Sequence, residues 1–370
     1  MKKIGWILIL LLALVAIAAV WQNQKPAQSS SALTIGAIFP LTGANATYGE
    51  MAQKGIALAL KNLPEHIKVV YEDDQFQSAP ALSAYEKLKA AGVKVFFTIG
   101  SQVSSTIGPE AVKDGLMNFE LTAVTPKYAD GSPLTCRAAL TVEPSAEVLY
   151  GYIQKHHLER IALFVTNDAQ GAAYDSALTR MTASTSAHIV DRERYTLNEN
   201  DFRSEISRIE AAHPDALVLI SPGQQAEEIL TQLHQLNFKG KILSNNWTIE
   251  NAALKNLSLA NGTVFSDYSY GAATSSADSA AVSMFKNEFA AAYGDAQPPV
   301  VAATAYDAVT LIATAVGNGL TGPAAISNFV SNTKNFQGIS GTWSFNADCE
   351  AAQSATLRTV QNGTIVPLQN

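Results

Sequence analysis

Residues 33–63 read LTIGAIFPLTGANATYGEMAQKGIALALKNL. The stretch opens with an apolar, β-branched run at 33–39, turns through Pro40 and Gly43, and enters a segment whose Ala52, Ile56, Ala59, Leu60 and Leu63 recur at helical spacing. A strand, a loop carrying a lone Tyr48 and a helix form one α/β unit. In such units the loop at the carboxyl end of the strand is where ligands sit.

The same alternation continues along the chain. Strands are predicted at 33–39, 67–72, 94–99, 119–124, 136–142, 160–166, 187–193, 215–220, 240–244 and 262–266, with helical stretches between them. In LKAAGVKVFF, Gly92 stops a helix before a β-rich run. This rhythm predicts parallel sheets covered by helices. The strands are too many for one such sheet, so two lobes are expected, with the break near CRAALTVEPSAE and a new helix from about Pro144. Residues 300–316, VVAATAYDAVTLIATAV, are apolar or small on nearly every side and predict a buried helix. GTWSFNADC and ATLRTVQNGTIVPL then read as β structure, with a hairpin turn at Asn362-Gly363.

The chain has 370 residues, of which 15% are charged. That fraction lies below the roughly 25% usual for soluble domains. The net charge of −7 and the lack of a basic patch argue against a nucleic-acid partner. At the N-terminus, Met1-Lys2-Lys3 precedes an uncharged apolar run from Ile4 to Val20, followed by a Ser/Gln-rich linker at 22–32. The run fits a cleaved export signal, with Ala16-Ile17-Ala18 as a cutting site. It also fits an uncleaved membrane anchor, in which case residues 4–20 contact the membrane. Residues 1–28 are therefore assigned to a signal or anchor plus linker. Both readings export the body of the protein. No cysteine follows the run, which argues against lipid attachment there. Cys136 and Cys349 fit no metal-binding spacing. Export permits a disulfide between them, and two buried free thiols are equally compatible with the sequence.

No G-x-S-x-G, H-E-x-x-H, P-loop or C-x-x-C motif is present. The GNGLTG match at Gly317, Gly319 and Gly322 follows a helix rather than a strand and reads as a loop. His156-His157 reads as a helix end. Glu72-Asp73-Asp74 reads as solvated loop carboxylates. VFFTIGSQVSSTIGPEAV carries more information: a strand, a turn at Gly100 and hydroxyls at Ser104, Ser105 and Thr106 near a helix start. Such hydroxyls cap backbone N–H groups, and the same geometry suits a carboxylate.

From about Leu33 to the C-terminus the chain resembles the type I periplasmic solute-binding proteins, in the leucine/isoleucine/valine-binding branch that serves branched-chain amino-acid ABC transporters. The resemblance is carried by IGAIFPLTGANATYGEMAQKGIALAL, VVYEDDQFQSAPALSAYEKL, TIGSQVSST, RIALFVTNDAQGAAYDSAL and AATAYDAVTLIATAV, in that order. It implies an α/β fold of two Rossmann-like lobes with parallel-type central sheets, joined by a three-strand hinge. Lobe I is expected at 33–142 and 269–341, and lobe II at 143–268 and 342–370. It further implies capture of a small-molecule ligand by hinge closure, without catalysis or cofactor. A membrane permease would be the partner, and the location periplasmic or otherwise extracytoplasmic, or at the inner membrane if the N-terminus stays uncleaved. The same fold as a membrane-anchored sensor is a rival reading, and an exported enzyme a more distant one.

Residue by residue, the resemblance implies that Tyr48 lines the cleft and that Ser104, with Ser105 adjacent, holds a ligand carboxylate. In LTAVTP, Thr122 matches one carboxylate position, while Val124 stands where the family has Thr. Gln170 occupies the place of an aromatic residue and Asn246, beside Trp247, the place of the acid that pairs with a ligand ammonium. Glu120 and Glu250 are nearby acids that could compensate. Burying an ammonium without a counter-charge costs several kcal/mol. Asn and Gln suit neutral amides, ureas or hydroxylated ligands instead, so the resemblance implies an amino acid while these departures favour an amide, a urea-like compound or an aromatic carboxylate.

Overall fold

The computed structural model describes residues 32–63, 67–124, 132–197, 199–249, 256–268, 280–295, 298–351 and 355–368. The apolar segment 4–20, most of the linker and Glu250 lie outside them. Two main sheets organise the chain. The first holds β1 (Leu33–Phe39), β2 (Ile67–Asp73), β3 (Val95–Thr98), β4 (Met117–Glu120) and β5 (Thr135–Arg137), all parallel, in the order β2-β1-β3-β4-β5. Helices α1 (Ala46–Asn62), α2 (Ser78–Ala90) and α3 (Ser101–Lys113) make the crossovers.

The second sheet repeats that winding with β6 (Arg160–Thr166), β7 (His188–Tyr195), β8 (Ala216–Ile220), β9 (Lys241–Asn245) and β10 (Val264–Tyr268), in the order β7-β6-β8-β9-β10. Its helices are α4 (Val142–Lys155), α5 (Ala169–Thr182), α6 (Arg203–Ala211), α7 (Gly223–Gln235) and the short α8 (Asn246–Ile249). The chain then returns to the first sheet through α9 (Ala280–Tyr293), α10 (Val300–Gly317), α11 (Pro323–Asn332) and the small pair β11 (Phe336–Gln337) and β12 (Thr342–Trp343). It ends as the hairpin β13 (Ala355–Gln361) and β14 (Thr364–Pro367), with β13 antiparallel to β10. Asn362 and Gly363, both at positive φ, form its two-residue turn.

Both sheets change winding direction at one point, between β1 and β3 and between β6 and β8. Ligand crevices of open α/β sheets form outside the strand ends at such switch points. The central strands of each sheet are buried on both faces: ALVLI of β8 and VFFT of β3 are wholly covered. Helix α10 is long and apolar enough to cross a membrane by composition, but most of it packs in the core against α1.

Several boundaries differ from the sequence expectation. The strand expected at 119–124 is Met117–Glu120. Beyond it, Thr122 Oγ1 accepts the Gly100 N–H, and the chain peels away from the sheet. Helix α4 starts at Val142, with Pro144 in the first turn, where no intrahelical N–H bond is lost. Residues beyond the lobe boundary expected at 342 still pack on the first sheet. Trp343, Phe345 and Cys349 are buried in the core of the first sheet, and Ala351 N donates to Arg137 O. Cys349 is joined to Cys136 of β5 by a disulfide. The crossings meet in a small cluster of Leu140, Tyr268, Val300 and Ala355, where Leu140 N donates to Tyr268 Oη at 3.0 Å.

Candidate ligand-binding cleft

The carboxyl ends of both sheets face each other across a cavity of about 290 Å3. That is near the lower end of the roughly 300–1,000 Å3 typical of small-molecule sites.

The first wall is built around the start of α3. Gly100 precedes it at φ +83°, and a Cβ there would lie 2.5 Å from the Phe76 ring, so glycine is required on both counts. No side chain caps the helix, whose first-turn N–H groups have no intrahelical acceptor. Ser101 and Gln102 of that turn line the cavity. Ser101 Oγ accepts the Val124 N–H at 3.2 Å, and Thr122 Oγ1 accepts the Gly100 N–H at 2.9 Å. Both hydroxyls have an acceptor role filled by backbone, which leaves their protons for a ligand. Ser105 Oγ donates to Ser101 O, and Thr106 Oγ1 donates to Ser78 Oγ at 2.9 Å.

The loop after β2 supports this wall. Asp73 accepts from Leu41 N, Thr42 N and Oγ1, and Gln75 N, tying the β1 and β2 loops together. Burial pushes its carboxyl up, but these hydrogen bonds, led by the Thr42 hydroxyl, hold it below the ordinary value. Asp74 Oδ1 accepts the Phe76 N–H at 2.7 Å, while Oδ2 is buried without a partner. Burial raises that carboxyl to about 7. Asp74 is thus a fully buried group rather than the solvated carboxylate expected from sequence.

The second wall comes from the loops after β6, β7, β8 and β9: Asp168, Ala169, Gln170, Leu197, Pro222 and Trp247. Asp168 caps α5, its Oδ1 accepting from Gly171 N at 2.9 Å and Thr166 Oγ1 at 2.8 Å. Gln170, only 9% exposed, presents an amide with no hydrogen-bond partner. Trp247 sits on a braced turn. Asn245 Oδ1 accepts from Thr248 N and Oγ1, Asn245 Nδ2 donates to Tyr174 Oη, and Ser221 N donates to Thr248 Oγ1. The Trp247 ring stacks on Tyr48 at 4.1 Å between centroids and 6° between planes, and Tyr48 Oη donates to Trp247 O at 3.3 Å. One aromatic pair therefore joins the two walls.

Of the residues singled out from sequence, Ser105, Thr106, Thr122, Val124, Gln170 and Trp247 line the cavity. Three do not. Tyr48 lies behind Trp247, 2% exposed. Ser104 is fully buried and bonded to Thr98 Oγ1 at 2.9 Å, because its position on α3 turns it toward the sheet. Asn246 is the first residue of α8 and is not among the lining residues. Glu120, at the end of β4, is buried and also off the wall. Sequence reasoning missed Phe76, Ser101 and Asp168. Phe76 follows the acids of DDQF with no pattern of its own to mark it, and Ser101 needs the helix phase, which a run of hydroxyls leaves ambiguous. Among the described residues, Asp168 is the sole ionisable side chain on the wall, and no group of three or more potential metal ligands occurs.

Residues 32–364 match the periplasmic binding protein family. The chain belongs to that family. The Leu/Ile/Val-binding protein BraC3 of Rhizobium johnstonii is 28% identical over 271 residues, covering 67% of this chain and 70% of the relative. A leucine-binding protein of Thermotoga maritima superposes with a TM-score of 0.81 at 21% identity, over 90% of this chain and 97% of the other. A solute-binding protein of an ABC transporter from R. palustris, solved with benzoate, gives 0.80 at 21%, over 91% and 95%. At these identities the solved structures establish the fold alone, an α/β type I periplasmic binding protein.

Proposed function

We propose that this periplasmic binding protein is the exported substrate-binding component of an ABC importer, capturing a small polar organic ligand between its lobes and presenting it to a membrane permease. The observation that carries the reading is the cavity itself, walled by the strand ends of both sheets at their switch points. A ligand there touches both lobes at once, so its binding energy favours the closed arrangement. The wall at α3 offers donors, from first-turn N–H groups and from the Ser101 and Thr122 hydroxyls, which suits a carboxylate. Among the described residues neither wall offers a nucleophile beside a base, which favours binding over chemistry. The Cys136–Cys349 disulfide suits an oxidising, extracytoplasmic compartment. The same fold held at the membrane by residues 4–20 would act as a sensor, and an intact N-terminus on the mature protein would favour that role.

A thermal-shift screen of the exported chain against amino acids, hydroxy acids, aromatic acids and short amides tests the reading. A ligand at 100 times its Kd adds about 2.7 kcal/mol to stability, a shift of a few degrees. Ser101→Ala is expected to weaken a carboxylate ligand by about 1–3 kcal/mol. A panel without any hit, or a hit indifferent to Ser101, counts against the cleft as drawn.

A further inference from the structure

We infer that the ligand end facing Gln170 is uncharged, so that the cleft selects carboxylates carrying a hydroxyl or oxo group where an amino acid carries its ammonium. The inference rests on the reading of the cavity as a carboxylate-binding cleft.

Gln170 supplies the decisive observation. Its side chain is about nine-tenths buried, lines the cavity and has no hydrogen-bond partner. Its amide opens onto the cavity, so it pairs with whatever fills that space. A ligand group that both gives and takes hydrogen bonds matches an amide best, and a hydroxyl does both. An ammonium could only donate to the amide oxygen, and would leave the two amide N–H groups facing a cation.

The rest of the second wall gives an ammonium little help. Leu197 and Pro222 are apolar. Trp247 has one face covered by Tyr48 at 4.1 Å. Among the described residues Asp168 is the sole carboxylate on the wall, with Oδ1 engaged as the α5 cap and the residue exposed, where water screens its charge. Gln170 thus reads a neutral polar group while the start of α3 reads the carboxylate.

Calorimetric titration of the exported chain with matched pairs tests this: leucine against 2-hydroxy-4-methylpentanoate, phenylalanine against 2-hydroxy-3-phenylpropanoate, and alanine against lactate. At least one hydroxy acid is expected to bind tenfold or more tightly than its amino-acid partner. Gln170→Glu, close in shape but anionic, is expected to reverse that preference. Its melting curve checks that the fold is kept, and the wild-type comparison stands without it. Equal or tighter binding of the amino acids by the wild type overturns the inference and leaves the carboxylate cleft intact. If no member of any pair binds at millimolar concentration, the carboxylate cleft itself fails and the inference falls with it.

Discussion

Asp74 places a carboxyl oxygen without a partner inside the loop that carries Phe76 to the cleft. Burial raises its pKa to about 7, well above the ordinary aspartate value. The folded protein therefore keeps a proton that the unfolded chain releases above about pH 4. The stability contributed by this proton is fully present below that pH and is lost as pH rises through 7. Asp307 of α10 is also held at about 7 by burial, although it accepts from Ile339 N, Ser340 N and Ser340 Oγ, and its contribution has the same sign. Asp74→Asn keeps an acceptor for the Phe76 N–H and removes the charge. Relative to wild type, the variant is expected to gain on the order of 4 kcal/mol between pH 4 and pH 8. Urea melts at pH 4, 6 and 8 measure it, and a difference independent of pH would show that the carboxyl titrates normally.

Helices α1 and α10 meet at Gly55, where a Cβ would stand 2.0 Å from the Ala302 carbonyl oxygen. The glycine has no conformational task there; its missing side chain lets two backbones touch. The contact seats α10 under the first sheet and with it the residues that carry the chain back toward the hinge. Gly55→Ala forces the helices apart and is expected to cost about 1–3 kcal/mol, read as a lower urea midpoint at unchanged slope. A variant as stable as wild type would mean that the helices separate freely.

Across the whole molecule, the disulfide joins β5 to Cys349, a residue buried in the core of the first sheet. It closes a loop with a sequence separation of 213, which contains the entire second sheet up to β10. Constraining so long a loop in the unfolded chain is worth about 3–5 kcal/mol. The double variant Cys136→Ala/Cys349→Ala is expected to melt several degrees lower. It should still bind ligand at low temperature, since neither cysteine touches the cavity. Equal melting temperatures with and without the bridge would show that the core around Trp343 and Phe345 alone holds the two segments together.

The α/β class, the two repeated windings and most strand positions were legible in the sequence because they depend on local pattern: apolar runs, helical spacing and glycine stops recur every few residues. Ser105, Thr122, Val124, Gln170 and Trp247 were legible as members of strand-end loops. Three kinds of fact were not. The choice of Ser101 over Ser104 depends on the phase of α3 against the sheet. The burial of Asp74 depends on what packs over its loop. The packing of Trp343 and Cys349 in the first core, beyond the boundary expected at 342, depends on what those side chains meet there. Each is a contact between residues distant in sequence. Periodicity along the chain determines which elements form and which loops share an end of a sheet. Only tertiary packing decides which side of each loop faces the cavity.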